Sequence, residues 1–253
     1  MFVEFKQFID VVAEQAHAMR AAAVLAGPDA PVLTCPEWTV RDLVAHLARV
    51  HGWAGRALLA DPDGEAPDRE TPPDSWDELL PWWDERRDAL LRMLRERGPD
   101  APAWVFAKPQ VPSTADFWAR RQAHETAIHR LDAEHAASGS ARVDAVPTLV
   151  FDSEFAADGI DEALRLLVPR RLKREPGTLT GTVLFHAADA GQAWLAELLP
   201  GGDGLAVTAA EPGMDADGSV VGTADAVYRA VWQRPSTAIR GGDQNVITAL
   251  KVP

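Results

Sequence analysis

The apolar residues of this chain keep one period over its first two thirds and change to another near residue 177. Up to that point they recur every three or four positions, the spacing that lines one face of a helix; beyond it they alternate, as along a half-buried strand. A chain patterned in this way is predicted to be α+β. A helical bundle is expected over residues 1–170 and a small α+β domain over 171–253. In residues 2–26, Phe5, Phe8, Ile9, Val12, Ala16 and Met19 mark the first helix, which "GPDAP" ends. A second helix begins after Thr39, a plausible N-cap with Asp42 placed to complete a capping box, and runs through Val40, Leu43, Val44, Leu47 and Val50. The polar, proline-rich loop 61–75 leads to a third helix, "WDELLPWWDERRDALLRMLRERG", with Pro81 in its first turns. The fourth spans about 114–137, and "SEFAADGIDEALRLLVPRRL" is a fifth helical segment. In the last third, "TLTGTVLFHAAD", "GLAVTAAE" and "GSVVG" read as strands, and "TADAVYRAVWQRP" and "NVITALKVP" as helices.

Charge removes several functions at once. A formal net charge of −13 excludes nucleic acid as the natural partner, because phosphates require clustered Lys and Arg, and it disfavours an anionic membrane surface. No apolar run is long enough to span a bilayer. The start, "MFVEFKQFIDVVAEQ", carries acids through its apolar pattern and does not read as a signal peptide. A single cysteine offers no internal disulfide framework and suits a reducing compartment, so a cytoplasmic location is expected.

The chemistry concentrates in "RRQAHETAIHRLDAE", residues 120–134. The run superficially resembles the H-E-x-x-H signature of zinc proteases, whose histidines stand one turn apart. Here His124 and His129 are five residues apart, which at ~100° per residue separates them by ~140° around the helix. Glu125 and His129, four apart, share a face and occupy adjacent turns. On the second helix, His46 lies among Leu43, Leu47 and Val50 and points inward, whereas His51 falls off that face and is expected in solvent. Facing helices that present His and carboxylate groups are how bundles build interior metal sites. From the residues alone, a hydrogen-bonded core histidine and an ordinary helix-face Glu–His pair remain equal alternatives.

Two longer stretches carry a family resemblance. "TCPEWTVRDLVAHLARVHGWA" and "FWARRQAHETAIHRLDAE" resemble the paired signatures of the actinobacterial mycothiol-dependent maleylpyruvate isomerase family, and "ADAVYRAVWQRPSTAIRGGD" is similar to that family's C-terminal domain. The resemblance implies a DinB-like four-helix bundle followed by a sterol-carrier-like domain. It also implies a divalent metal, usually zinc, held by His46, Glu125 and His129, with His124 a neighbour and not a ligand. Glu37 departs from the pattern, standing where glycine is commonest, and "PSTAIRGGDQN" differs locally from the usual run.

The function implied by this resemblance is that of an isomerase or S-transferase that uses mycothiol against a small-molecule electrophile, in a monomer or homodimer. A metal-bound thiol loses its proton and becomes the nucleophile. A metal-dependent hydrolase using bound water and a non-catalytic binding module are the rival readings. Asp132 is a candidate acceptor for an imidazole N–H, Arg121 a helix-face partner of Glu125, and Trp38 and Trp118 core residues. Cys35 reads as a small buried side chain. Arg240, as a catalytic or thiol-binding group, and Arg229, as a thiol-binding group, are the candidates in the C-terminal domain.

Overall fold

The computed structural model describes residues 3–200 and 204–252. Met1, Phe2 and Pro253, at the outer ends of two expected helical stretches, lie outside them. The chain divides into two compact units, Glu4–Val146 and the residues from Pro147 onward.

The first unit is a four-helix bundle of α1 (Phe5–Ala26), α2 (Val40–Ala57), α3 (Trp76–Arg97) and α4 (Ala115–Ser138). Each helix begins or ends where local chemistry requires it. Thr39 caps α2 reciprocally with Asp42: the Thr39 hydroxyl accepts from the Asp42 N–H, and the Asp42 carboxylate accepts from the Thr39 N–H at 2.9 Å. That backbone N–H, with the Thr39 hydroxyl, holds the Asp42 carboxyl below its usual range. Gly27, Gly98 and Gly139 follow α1, α3 and α4 with positive φ. In the bundle, α1 packs on α4 and α2 packs on both α3 and α4. The core around Met19, Leu43, Leu47, Leu79 and Trp83 is fully removed from water.

The second unit holds α5 (Ser153–Glu162), a π-helical turn (Ala163–Leu167), α6 (Val168–Arg174) and a five-stranded sheet with α7 (Ala224–Val231) and α8 (Gln244–Ala249). The strands are β1 (Gly181–Ala187), β2 (Gln192–Leu198), β3 (Leu205–Ala209), β4 (Gly218–Gly222) and β5 (Ile239–Gly242), in the order β3-β2-β1-β4-β5. Among the described residues, the β1–β4 pair alone is parallel. The division falls at 146/147 and not near 170, because Phe151 and Phe155, before and on α5, stack edge-on against the buried Tyr228 of α7. Two strands, β2 and β5, join the three expected from the alternating pattern.

The departure at Glu37 has a backbone cause. The Trp38 N–H donates to the Cys35 carbonyl at 3.1 Å, closing a turn with Pro36 in its second position and Glu37 in its third, where φ is +77°. That is the type II arrangement, which favours glycine at the third position because a Cβ there is crowded. Glu37→Gly is therefore expected to stabilise the protein by roughly 0.5–1 kcal/mol, the relief of left-handed strain less the added freedom of the unfolded chain. Urea unfolding of the two proteins checks this; a less stable glycine variant contradicts it.

Candidate metal centre

Helix α4 is buried on nearly every side, so its polar residues must find partners within the bundle. Glu125 and His129, one turn apart, face His46 of α2. His46 Nε2 lies 2.8 Å from Glu125 Oε1, and His129 Nε2 lies 3.5 Å from the same oxygen. The two imidazoles meet edge-on at 4.9 Å between centroids. One donor atom from each of the three residues lies within 4.8 Å of the others. Donors around a tetrahedral ion with bonds of about 2.0–2.2 Å stand roughly 3.3–3.6 Å apart. The 3.5 Å contact of His129 with Glu125 matches that spacing, and the 2.8 Å contact of His46 is a hydrogen-bond length inside it; two imidazoles with a carboxylate suit zinc chemically, so the residues present fit a divalent metal.

The surroundings reinforce the set. Arg121, one turn before Glu125 and 4% exposed, donates to Glu125 Oε2 at 2.7 Å. Burial opposes the Glu125 charge, yet Arg121 and the two histidines hold its carboxyl well below the usual range. His129 Nδ1 donates to the fully buried Asp132 at 2.9 Å, leaving Nε2 to face Glu125 and His46. Burial works against an imidazolium at His129, but Asp132 and Glu125 outweigh it and raise its pKa to about 9. Trp38 packs against both imidazole rings, 5.0 Å from His46 and 5.9 Å from His129 between centroids. It therefore forms one wall of the site and is more than a packing residue. Trp118 is core, and its indole N–H donates to the Trp104 carbonyl. His124 is buried, set edge-on to Phe8 at 6.0 Å, and belongs to neither group of donors that converge on one point.

His51 departs from the expectation of a solvated side chain. It is fully buried, because α2 packs on α3 as well as on α4 and so has little outward surface at this level. The Trp83 indole N–H donates to His51 Nδ1 at 3.1 Å, which leaves the proton on Nε2 to be donated to Thr126 Oγ1 at 3.0 Å. Thr126 in turn donates to the Gln122 carbonyl at 2.6 Å. The chain of bonds ties α2, α3 and α4 together directly behind Glu125. Nothing in the apolar spacing of α2 announces it; the only signal is a Trp and a Thr on other helices.

Arg229 and Arg240 belong to the second unit. Arg229 is 5% exposed, donates to Asp225 at 3.0 Å and to the Leu149 carbonyl, and lies over the Phe151 ring. Arg240, on β5, is exposed, donates to the Ala230 carbonyl at 3.4 Å and lines a small hollow with Gln233, Thr248 and Lys251.

Residues 10–134 match the family described as the mycothiol maleylpyruvate isomerase N-terminal domain. Among solved structures, two crystal structures of mycothiol-dependent maleylpyruvate isomerase, one of a histidine-to-alanine mutant, share the fold. Each is 14% identical, with a TM-score of 0.59, over 94% of this chain and 93% of the other. No protein with a curated description matches the chain. Among the described residues, no helix is long and apolar enough to cross a membrane.

The buried His51 makes a pH prediction. Burial lowers its pKa from 6.5 to about 3, so between these values only the unfolded chain takes up the proton. Its contribution to stability is complete above pH 6.5 and is lost as pH falls toward about 3. The slope is at most ~1.4 kcal/mol per pH unit. Compared by urea unfolding with His51→Gln, which does not titrate, the wild type should lose relative stability from about pH 7 to about pH 5. A difference that stays constant over that range contradicts the assignment.

Proposed function

We propose, from the membership of residues 10–134 in the mycothiol maleylpyruvate isomerase N-terminal domain family, that this chain is a metal-dependent enzyme that uses mycothiol as an isomerase or S-transferase on a small electrophile. The observation that carries the reading is the convergence of His46, Glu125 and His129 from two facing helices, with their donor atoms within 4.8 Å of one another. These three residues would hold the ion, with zinc the natural choice for the donor set. When bound, such an ion supplies Lewis acidity that favours the ionised form of a neighbouring thiol.

The remaining work is done by side chains already in place. Arg121 keeps Glu125 ionised and anchors its second oxygen, so the first is presented to the site in a fixed orientation. Asp132 holds the proton on His129 Nδ1, which leaves Nε2 as the nitrogen directed at the other ligands. Trp38 packs against both rings and helps to hold their orientation. In the second unit, Arg240 is the better candidate for contact with an anionic substrate or the thiol, because it is exposed with a long bond to the Ala230 carbonyl, whereas Arg229 is buried and paired with Asp225. A cytoplasmic setting, where low-molecular-weight thiols are kept reduced, suits this chemistry.

Metal analysis of the purified protein tests the site. The wild type should carry a single divalent ion per chain. His46→Ala and Glu125→Gln should weaken binding by more than the ~10–100-fold that follows loss of an outer partner. His124→Ala should lower the melting temperature through the cavity it leaves, and keep the metal. Equal loss of metal in His124→Ala and Glu125→Gln, with both folded, contradicts the ligand assignment. Turnover of a panel of small electrophiles, maleylpyruvate included, should require mycothiol. Metal-dependent turnover without added thiol would favour the hydrolase reading instead.

A further inference from the structure

The metal ligand His129 is backed by Asp132, and Asp132 is itself held from the loop that precedes α2. This carboxylate is fully buried on α4. Its Oδ1 accepts from the Thr34 hydroxyl at 2.5 Å, and its Oδ2 accepts from the Cys35 thiol at 3.3 Å as well as from His129 Nδ1 at 2.9 Å. Thr34 and Cys35 lie nearly a hundred residues away in sequence, at the start of the turn that carries Glu37 and Trp38. An ionised carboxylate only accepts hydrogen bonds, so three donors converging on it define its orientation. Without Thr34 and Cys35 the carboxylate loses two of the donors that orient it, and the imidazole it holds is less firmly fixed.

We infer that Thr34 and Cys35 are positioning residues for the metal centre, acting through Asp132 to fix the ring of His129; the inference rests on the proposed metal site. The loop thus grips the site twice, through Asp132 and through the Trp38 indole laid against both imidazoles. The lone cysteine acts here as a hydrogen-bond donor, not as a nucleophile. Serine, which keeps a donor at the position, should therefore replace it, whereas alanine should not.

Cobalt(II) titration, followed by its visible absorption, tests this in the full chain. Thr34→Val and Cys35→Ala should each weaken cobalt binding by ~10-fold, the lower end of what outer partners of a ligating histidine contribute. Cys35→Ser should restore affinity to within about threefold of wild type, a difference small against that loss. In an Asp132→Asn background, Thr34→Val should cost much less than it does alone, because both act through one carboxylate. Before cobalt is added, the His129 Nδ1–H proton resonance should move in Thr34→Val and Cys35→Ala and return toward its original position in Cys35→Ser. A folding defect alone would lower the melting temperature and leave that resonance in place. If wild type and both variants bind cobalt equally, with the resonance unmoved, the inference is overturned and the metal site stands. If the wild type takes up no cobalt at all, the metal reading falls and this inference falls with it.

Discussion

A carboxylate inside a helical bundle is tolerable only where its charge is answered, and Glu125 is answered from three directions. Arg121 takes one oxygen at 2.7 Å, and His46 and His129 approach the other at 2.8 Å and 3.5 Å. Desolvating an unpaired carboxylate costs several kcal/mol, so the three partners are a condition for α4 to occupy the centre of the bundle. The same requirement fixes the site. Any arrangement of α2 and α4 that separates His46 from Glu125 leaves the acid with one partner fewer in a place water reaches poorly. Packing and chemistry therefore select the same geometry.

The polar interior extends beyond the three donors in two directions. Behind Glu125, Trp83, His51 and Thr126 form a directed hydrogen-bond chain joining α3, α2 and α4. Behind His129, Asp132 connects the ligand to Thr34 and Cys35 in the loop before α2. Buried networks of this kind are favourable when every member is paired, and they make alternative packings of the helices costly. The result is a set of three donors with little freedom to rearrange, as the proposed metal site requires.

Much of this is legible in the sequence, and the parts that are not share a cause. The four long helices announce themselves by period and by caps, Thr39 with Asp42 most plainly. The shared face of Glu125 and His129 follows from a spacing of four and the inward side of His46 from the apolar residues around it, while their choice as a ligand set rests on the family resemblance. β2 escapes a local reading because Gln192, Ala193, Leu195, Ala196 and Glu197 are helix formers; a hairpin with β1 and the inward Trp194, Ala196 and Leu198 override that preference. β5 is a short edge strand that ends in two glycines. Gly242 sits where an added Cβ would collide with the Asp217 carbonyl, a close approach no local pattern reveals. His51 is misplaced by a helical wheel because the wheel assumes one buried face, and α2 is covered on two. The roles of Thr34 and Cys35 depend on a partner nearly a hundred residues away, beyond the reach of any local pattern.

The central claim is that two imidazoles and one carboxylate from α2 and α4 form the coordination sphere of a divalent ion. X-ray absorption at the zinc edge of the zinc-loaded protein addresses that sphere directly. The account predicts nitrogen and oxygen neighbours at about 2.0–2.2 Å, with the outer-shell scattering of two imidazoles, reduced to that of one in His46→Ala protein loaded at high zinc. A spectrum dominated by sulfur from the protein alone, or one without imidazole scattering, would contradict it.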